Sequence, residues 1–194
     1  MRSRLGPIIL AAVLAAGTAF AGEIASSFDE SALATKRRTA LGLYLTSPDA
    51  AKAVAETPGI VFIDVRSRAE FQFVGHPAPV DQNIPFLFLD PALIYDGKSG
   101  YAMKNNPDFA ARVETLMRRE GKSKTDPIFV ICRSGSRSAH AANVLAGLGY
   151  TNVWNVIDGF EGDKDKTTGH RTLEGWRHEN LSWSYRIEPA QAYE

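Results

Sequence analysis

The sequence predicts an α/β protein with a mainly parallel β-sheet covered by helices on both faces. Two short apolar runs, residues 60–63 and 128–131, are too short for helices and lack the alternation of half-exposed strands. Runs of this kind are typical of strands buried on both faces of a sheet. Stretches with helical spacing of apolar residues separate the runs along the chain. The 194 residues, 44% of them hydrophobic, suffice for the core of one domain.

The N-terminal residues have the order of regions found in secretory signal peptides. Arg2 and Arg4 precede an apolar stretch over residues 5–21, which ends at Ala21 in the sequence Ala-Phe-Ala. Signal peptidase cleaves after this small-x-small pattern, so we predict a signal peptide over residues 1–21 and a periplasmic protein without a stable membrane anchor. An uncleaved N-terminal anchor is the alternative, because about 17 apolar residues lie at the lower limit for spanning a bilayer.

The next residues divide into a polar segment and the beginning of the folded domain. Residues 22–40 are small, polar and charged, so we predict a solvated linker there. We expect the domain to span residues 41–187 and a C-terminal tail to cover residues 188–194. Its first elements are a strand at residues 43–45 and a helix capped by Ser47, because proline follows this serine at the first helical position.

A second strand and two further helices follow. The run 60–63 predicts a strand that ends at Asp64, and residues 68–74 predict a short helix closed by Gly75. A longer helix begins after Pro107 and ends before Gly121. The inward face of this longer helix is predicted to consist of Phe109, Val113, Leu116 and Met117.

The last predicted elements surround a glycine-containing loop. The run 128–131 predicts a buried strand, which the loop connects to a helix that ends at Gly149. Residues 153–157 predict a further strand. The inward face of the helix is predicted to consist of Ala141, Val144, Leu145 and Leu148.

Composition and cysteine count exclude several function classes. The chain has 22 basic and 22 acidic residues, so it lacks the positive charge expected of a nucleic-acid-binding protein. Its one cysteine, Cys132, excludes a disulfide within the chain and any multi-cysteine zinc or iron–sulfur site. The four histidines lack the spacing of a catalytic zinc site. We therefore expect neither a metal nor an organic cofactor.

One acidic stretch partly matches a calcium-binding loop. Asp163, Asp165, Thr167 and Glu174 take the first, third, fifth and twelfth positions of such a loop. Thr168, however, stands where the loop requires glycine. We therefore favour a solvated charged loop over a calcium site at this place.

The strongest functional signal follows the strand at residues 128–131. The loop there reads Cys132-Arg133-Ser134-Gly135-Ser136-Arg137-Ser138. Ligands of open α/β sheets bind at the carboxyl ends of the strands, where this loop begins. The positive end of the following helix and the two arginines of the loop favour the thiolate form of a cysteine. Gly135 allows backbone amides to turn inward and cradle an oxyanion. We predict Cys132 as the nucleophile and residues 133–138 as substrate-binding groups, rather than a cysteine that only fills space at a strand end.

This loop resembles the active-site loop of the rhodanese family of sulfurtransferases. Further matches, in the order of the family and within residues 41–185, are Ile63-Asp64-Val65-Arg66, Glu70-Phe71, Gly75-His76, Asn83-Ile84-Pro85, Gly149-Tyr150, Val153-Trp154 and Asp158-Gly159-Phe160. The resemblance implies a rhodanese-like fold, with a central, mainly parallel five-stranded sheet flanked by helices on both faces.

The chain departs from the family pattern in three places. Residues 77–79, Pro-Ala-Pro, disturb the usual continuation after Gly-His. Residues 86–127 are longer than a minimal single-domain rhodanese needs, which predicts an inserted loop near residues 91–106. Residues 158–178 are extended and polar, so we expect them to shape the pocket or a partner surface.

The resemblance implies a sulfurtransferase that carries sulfur as a persulfide on Cys132. A small anionic donor such as thiosulfate, or a persulfide, would give its outer sulfur to the thiolate, and a thiol or protein acceptor would remove it. Arg133 and Arg137 would hold the donor, and the amides of residues 134–138 would stabilise the persulfide.

Two alternatives to a sulfurtransferase stay open. One is an oxyanion phosphatase or arsenate reductase on the same fold, and the other is a non-catalytic sulfur carrier or partner-binding module. Phosphatase-type relatives place the arginine six positions after the cysteine, whereas Arg137 comes five positions after Cys132. The shorter loop favours sulfur transfer. The retained cysteine, glycine and arginines argue against a site without function.

Four further polar residues accompany the site. We interpret Asp64, Arg66 and Glu70 as a framework of ion pairs and hydrogen bonds at a strand end rather than as acid–base catalysts. His140 is expected to be an ordinary helix residue, because a pre-formed thiolate needs no base.

Overall fold

Five parallel strands form the centre of the structure, a computed structural model that describes residues 24–26, 28–92, 95–97 and 100–194. The predicted signal peptide lies outside these residues. The strands found within them are β1 (Tyr44–Leu45), β2 (Val61–Asp64), β3 (His76–Pro77), β4 (Gln82–Asn83), β5 (Leu87–Leu89), β6 (Met103–Asn105), β7 (Ile128–Ile131), β8 (Val153–Val156) and β9 (Trp183–Ser184). The α-helices are α1 (Ser47–Glu56), α2 (Arg68–Val74), α3 (Phe109–Arg119) and α4 (Ser136–Gly147).

The central sheet has the strand order β1-β8-β7-β2-β4, and every neighbouring pair in it is parallel. β7 lies in the middle, where Val130 is in register with Ile63 of β2 and with Asn155 of β8. The predicted parallel five-stranded sheet is therefore confirmed. The carboxyl end of β7 lies at the centre of one edge of this sheet.

Helices cover both faces of the sheet, as predicted. Val61, Ile63 and Val130 pack with α3 and α4, whereas Phe62 and Phe129 pack with α1 and α2. Successive residues of one strand thus point to opposite faces, and both sets are buried. Burial of one side chain of this size stabilises the fold by about 1.5–3 kcal/mol. Because the side chains on both faces of these strands are buried, the strands consist of the uninterrupted apolar runs seen in the sequence.

Capping residues explain the bounds of the helices. Ser67 and Glu70 form a reciprocal capping box at the start of α2, and Gly75, with φ of 89°, ends it at the predicted residue. The predicted inward face of α3 is confirmed, since all four of its residues are buried. The predicted cap of α1 is wrong: Thr46 is the N-cap and Ser47 is the first helical residue. Ser47 instead directs its hydroxyl to Asp158.

The predicted inward face of α4 is wrong at two positions. Val144 and Leu148 are 41% and 45% exposed, whereas Ala141 and Leu145 are buried as expected. The stripe that faces the sheet begins at Ser138 and continues through Ala141 and Leu145, at helical spacing of three and four residues. Val144 and Leu148 form the neighbouring i, i+4 pair on the solvent side.

Several short strands have no counterpart in the sequence prediction. β4, with two residues, is the fifth strand of the central sheet. β5 and β6 pair as an antiparallel hairpin around the predicted inserted loop. β3 pairs with β9, so the Pro-Ala-Pro segment begins in a two-stranded antiparallel ladder. Strands of two or three residues are too short to show an alternation of apolar and polar residues.

The terminal segments contact the domain where the structure describes them. Leu33 is buried against Tyr44, and Arg37 forms an ion pair with Asp163. Near the C-terminus, the Gln191 amide donates to the carbonyl oxygen of Val80 over 2.8 Å. The predicted domain bounds stay a prediction. In the described part of the chain, no helix combines the length and the apolar character needed to cross a membrane.

Candidate active site at the Cys132 loop

Cys132 follows β7 directly and lies at the centre of the sheet edge. Its side chain is 1% exposed and belongs to the apolar cluster under α3 and α4. The backbone amide of Phe160 donates to the Cys132 carbonyl oxygen over 2.8 Å. The cysteine is therefore held on one side by the sheet and on another by the segment after β8.

Gly135 makes the turn from β7 into α4 possible. Its φ is 83°, and a Cβ atom there would lie 2.0 Å from the Ile157 carbonyl oxygen, so no other residue fits without a backbone shift. The Asn155 side chain donates to the Gly135 carbonyl oxygen over 3.1 Å and fixes the turn. Within the described residues, the amides of Arg133, Ser134 and Gly135 have no hydrogen-bond acceptor. Anion binding by the amides of residues 134–138 stays a prediction, and of these residues Ser134 and Gly135 have amides without an acceptor in the described chain.

Ser138 lies in the first turn of α4 and is fully buried. Its hydroxyl oxygen is 3.3 Å from the Cys132 Sγ atom and donates a hydrogen bond to the sulfur. Ser138 was predicted to bind substrate, and the structure places it against the nucleophile itself. The Ser138 hydroxyl is therefore within hydrogen-bonding distance of the atom that would carry the transferred sulfur.

Arg137 pairs with Glu70 of α2. The two terminal nitrogens of Arg137 donate to the two carboxylate oxygens of Glu70 over 2.7 and 2.5 Å. Burial raises the pKa of Glu70, but hydrogen bonds and charge from Arg137 outweigh it and lower the pKa to about 2. The pKa of Arg137 is raised, because the Glu70 contacts outweigh burial and a smaller contribution comes from Cys132. Donor binding by Arg137 stays a prediction, and the structure assigns its terminal nitrogens to Glu70.

The remaining predicted binding residues differ in their exposure to solvent. Arg133 is exposed, while Ser134 and Ser136 are half-buried. The loop therefore contains one cationic side chain that faces solvent, Arg133, and one that is tied to a neighbouring helix, Arg137.

Asp64 and Arg66 form a fully buried ion pair behind the loop. Arg66 donates to the Asp64 carboxylate over 2.6 to 3.0 Å and to the Gly75 carbonyl oxygen over 2.7 Å. The guanidinium also lies 4.2 Å from the centre of the Phe160 ring. The pair joins the ends of β2 and α2, which is the framework interpretation favoured from the sequence. His140 is an exposed residue of α4.

Comparison with known proteins identifies the fold family. The family model of the rhodanese-like domain matches residues 47–166. The chain belongs to the rhodanese-like family. The crystal structure of Rv0390 from M. tuberculosis is similar, with 30% sequence identity and a TM-score of 0.57, and the match covers 74% of this chain and 97% of that one.

Curated relatives of this rhodanese-like chain include proteins with and without a known activity. An uncharacterized protein of Rickettsia rickettsii is 34% identical over 123 residues, which are 63% of this chain and 81% of the relative. Thiosulfate sulfurtransferase 16, a chloroplastic protein of Arabidopsis thaliana, is 32% identical over 99 residues, which are 51% of this chain and 69% of the relative. The family thus includes proteins named as thiosulfate sulfurtransferases.

One polar residue of this rhodanese-like site, Asp158, was not assigned a role from the sequence. Asp158 begins the Asp-Gly-Phe motif after β8, and its carboxylate accepts hydrogen bonds from the backbone and the hydroxyl of Ser47. Burial raises the pKa of Asp158 to about 6, although the Ser47 hydrogen bonds act in the opposite direction. The motif was visible in the sequence, but its partner lies 111 residues away along the chain.

The acidic stretch after the motif makes contacts within the protein. Asp163 pairs with Arg37, and an Asp165 carboxylate oxygen accepts from the amides of Thr167 and Thr168 over 2.6 and 3.0 Å. Among the described residues, no group of three or more His, Cys, Asp or Glu side chains is placed to hold a metal ion.

Proposed function

We propose that this protein is an exported rhodanese-like sulfurtransferase that carries sulfane sulfur as a persulfide on Cys132. The observation that carries the proposal is the placement of the sulfur: Cys132 Sγ lies 3.3 Å from the Ser138 hydroxyl, beside a loop whose first amides have no acceptor in the described chain. A nucleophile next to a cradle for an anion suits a reaction in which negative charge moves between sulfur atoms. The named thiosulfate sulfurtransferase among the relatives supports this chemistry.

The first half-reaction loads the cysteine. The Cys132 thiolate attacks the outer sulfur of thiosulfate, a new bond forms between Sγ and that sulfur, and the sulfur–sulfur bond to the sulfite group breaks. Sulfite leaves with the electron pair of the broken bond. A persulfide donor reacts in the same way and releases a thiolate. Cys132 then carries a persulfide with one negative charge, and no external oxidant or reductant is consumed.

The second half-reaction unloads the cysteine. A nucleophilic acceptor, a thiolate or cyanide, attacks the terminal sulfur and takes it, and the electron pair of the broken bond returns to Sγ. Cys132 is again a thiolate, so the cycle is a ping-pong reaction. Ser138 and the loop amides stabilise the negative charge in both halves, while Arg133 at the opening attracts an anionic donor.

Mass spectrometry of the intact protein tests the proposed loading step. After incubation with thiosulfate, we expect the mass to increase by one sulfur atom, located on the peptide that contains Cys132. The added sulfur should disappear after cyanide is given, and thiocyanate should form in equal amount. A protein that gains no sulfur from thiosulfate or from a low-molecular-weight persulfide would contradict the proposal.

Loop length separates the proposed sulfurtransferase from a phosphatase on the same fold. The loop from Cys132 to Arg137 has six residues, which suits a sulfur atom and crowds a tetrahedral phosphoryl group, because stabilising donors must lie near 3 Å from the developing charge. We therefore expect sulfur transfer from thiosulfate and no cysteine-dependent hydrolysis of aryl phosphates. Hydrolysis of an aryl phosphate that Cys132→Ser abolishes, together with inactivity toward thiosulfate, would assign the site to phosphate chemistry.

Export forms the second part of the proposal and rests on the arrangement of residues 1–21. We expect the mature protein to begin at Gly22 and to be recovered in the periplasmic fraction. N-terminal sequencing of protein from that fraction checks both statements. A protein that begins at Met1 and sediments with membranes would favour the uncleaved anchor instead.

A further inference from the structure

The segment after β8 forms a second wall for the Cys132 loop. A Cβ atom on Gly159 would lie 2.6 Å from the Arg133 carbonyl carbon and from the Ser134 amide nitrogen, so the Gly159 backbone touches the peptide bond between these residues. The amide of Glu161 also donates to the Arg133 carbonyl oxygen over 3.0 Å. A displacement of Gly159 would therefore displace the Arg133–Ser134 peptide, whose amide at Ser134 has no acceptor in the described chain.

Gly159 is in turn held by the start of α1. The Ser47 hydroxyl lies 3.0 Å from the Gly159 carbonyl oxygen and 2.8 Å from the Asp158 carboxylate, so one proton is shared between these two acceptors. The Ser47 amide lies 2.9 and 3.1 Å from the two carboxylate oxygens of Asp158. The amide of Trp176 donates to the same Gly159 carbonyl oxygen over 2.8 Å. Ser47 is fully buried and Asp158 is 8% exposed, so water does not compete for these contacts.

The carboxyl group of Asp158 titrates within the range of an ordinary assay. Burial is the largest cause of the rise of the Asp158 pKa to about 6, and the negative charge of Glu174 raises this pKa further. Hydrogen bonds from Ser47 and the backbone lower it. Protonation places a hydrogen on one of the two oxygens that face the Ser47 amide and removes the charge that strengthens these contacts. The hold on Gly159 is then weaker.

We propose that Asp158 is a positioning residue: its ionised carboxylate binds Ser47 at the start of α1 and so fixes Gly159 against the Arg133–Ser134 peptide of the Cys132 loop. Asp158 acts through the backbone and does not touch the substrate. The inference deepens the proposed function, on which its consequence for sulfur transfer rests. The structural coupling between Asp158 and the loop does not depend on the reaction.

The test uses the mature protein, in which backbone amide signals of the Cys132 loop are followed by NMR from about pH 4.5 to about pH 7.5. We expect the signals of Ser134 and Gly135 to shift with a midpoint near the Asp158 value, and Asp158→Asn to abolish this shift. Asp81→Asn is the matched control, because the Asp81 carboxylate also accepts a backbone amide, that of Phe62, over 2.7 Å, and its pKa is also raised, chiefly by burial. Asp81 precedes β4, an edge strand that β2 separates from β7, so this variant should keep the loop titration.

A second variant keeps the test decisive if Asp158→Asn does not fold. Ser47→Ala removes the hydroxyl that joins Asp158 to the Gly159 carbonyl oxygen and keeps the carboxylate itself. The loop signals should therefore shift less with pH, and the midpoint of the remaining shift should move to higher pH, because the ionised carboxylate has lost one hydrogen bond. Loop signals that do not titrate in the wild-type protein, or a midpoint that Ser47→Ala leaves in place, would overturn the inference.

Rates of sulfur loading add the functional readout. At about pH 7.5, Asp158→Asn should load Cys132 with sulfur from thiosulfate about tenfold more slowly than wild type, as expected for the loss of one charge-assisted hydrogen bond that acts on the cradle. Asp81→Asn should load at the wild-type rate. Equal loading by folded Asp158→Asn and wild type would overturn the positioning role. A wild-type protein that loads no sulfur would contradict the proposed function alone, and the NMR titration would then decide the coupling.

Discussion

Cys132→Ser is expected to lower sulfur transfer by more than about 10³-fold, because the variant lacks the only nucleophile in the cradle. Serine fills nearly the same volume and can still hydrogen-bond to Ser138, so the fold should persist. Its hydroxyl stays neutral at physiological pH and forms no persulfide. The measurement is thiocyanate formation from thiosulfate and cyanide, with thermal unfolding of both proteins to verify that the variant is folded.

A change in α4, the helix that follows the Cys132 loop, provides the control for this experiment. His140→Ala alters an exposed residue of α4, one turn beyond Arg137, and should leave the rate unchanged because a thiolate needs no general base. Thiocyanate formation by the serine variant at the wild-type rate would exclude Cys132 as the nucleophile. A loss of rate in His140→Ala as large as that in Cys132→Ser would assign a proton-transfer role to the histidine.

The parts of the fold that sequence reasoning predicted correctly have local causes. β2 and β7 follow from apolar runs that are too short for helices, and the end of α2 follows from Gly75, the next residue along the chain. The place of Cys132 follows from the same logic, because the residue after a central parallel strand lies at the ligand-binding edge. Each of these inferences needs only residues that are close together along the chain.

The contacts that sequence reasoning missed join residues that are distant along the chain. Arg137 and Glu70 are 67 positions apart, and no periodicity reveals that the arginine is bound by a carboxylate. Ser47 has the residue type and the following proline of a helix cap, yet its hydroxyl binds Asp158, so tertiary contact replaced the local role. Val144 and Leu148 have the spacing of an inward pair, but the neighbouring stripe with Ala141 and Leu145 faces the sheet, and spacing alone does not distinguish the two stripes.

The second large effect is expected from separating Glu70 and Arg137. Arg137→Ala leaves the Glu70 carboxylate, which is 21% exposed, without its partner and should lower the free energy of unfolding by about 2–3 kcal/mol near pH 7. The folded-state pKa of Glu70 lies below its ordinary value of 4.5, at about 2, so the pair stabilises the fold fully above pH 4.5 and loses this contribution as the pH falls through 2. Chemical denaturation of both proteins should therefore give a difference near pH 7 that shrinks in acid.

An exposed pair provides the matched control for this loss. Arg119 and Glu120 also form an ion pair, but their side chains are 46% and 40% exposed, so Arg119→Ala should cost less than about 1 kcal/mol. A loss for Arg137→Ala no larger than that for Arg119→Ala would show that the Glu70 pair does not stabilise the loop. A loss that persists unchanged at acid pH would show that its cause is not the Glu70 charge.

Glu70→Gln decides whether Arg137 holds the loop or the donor. Glutamine keeps the shape of the Glu70 side chain but lacks its charge, so the variant weakens the pair while the Arg137 guanidinium remains present. If Arg137 acts through Glu70, as the two hydrogen bonds between them imply, both variants should lose stability and change the KM for thiosulfate to the same extent. If Arg137 instead binds the donor directly, Arg137→Ala alone should raise KM, by about tenfold or more for a lost charged hydrogen bond, while Glu70→Gln frees the guanidinium and lowers it.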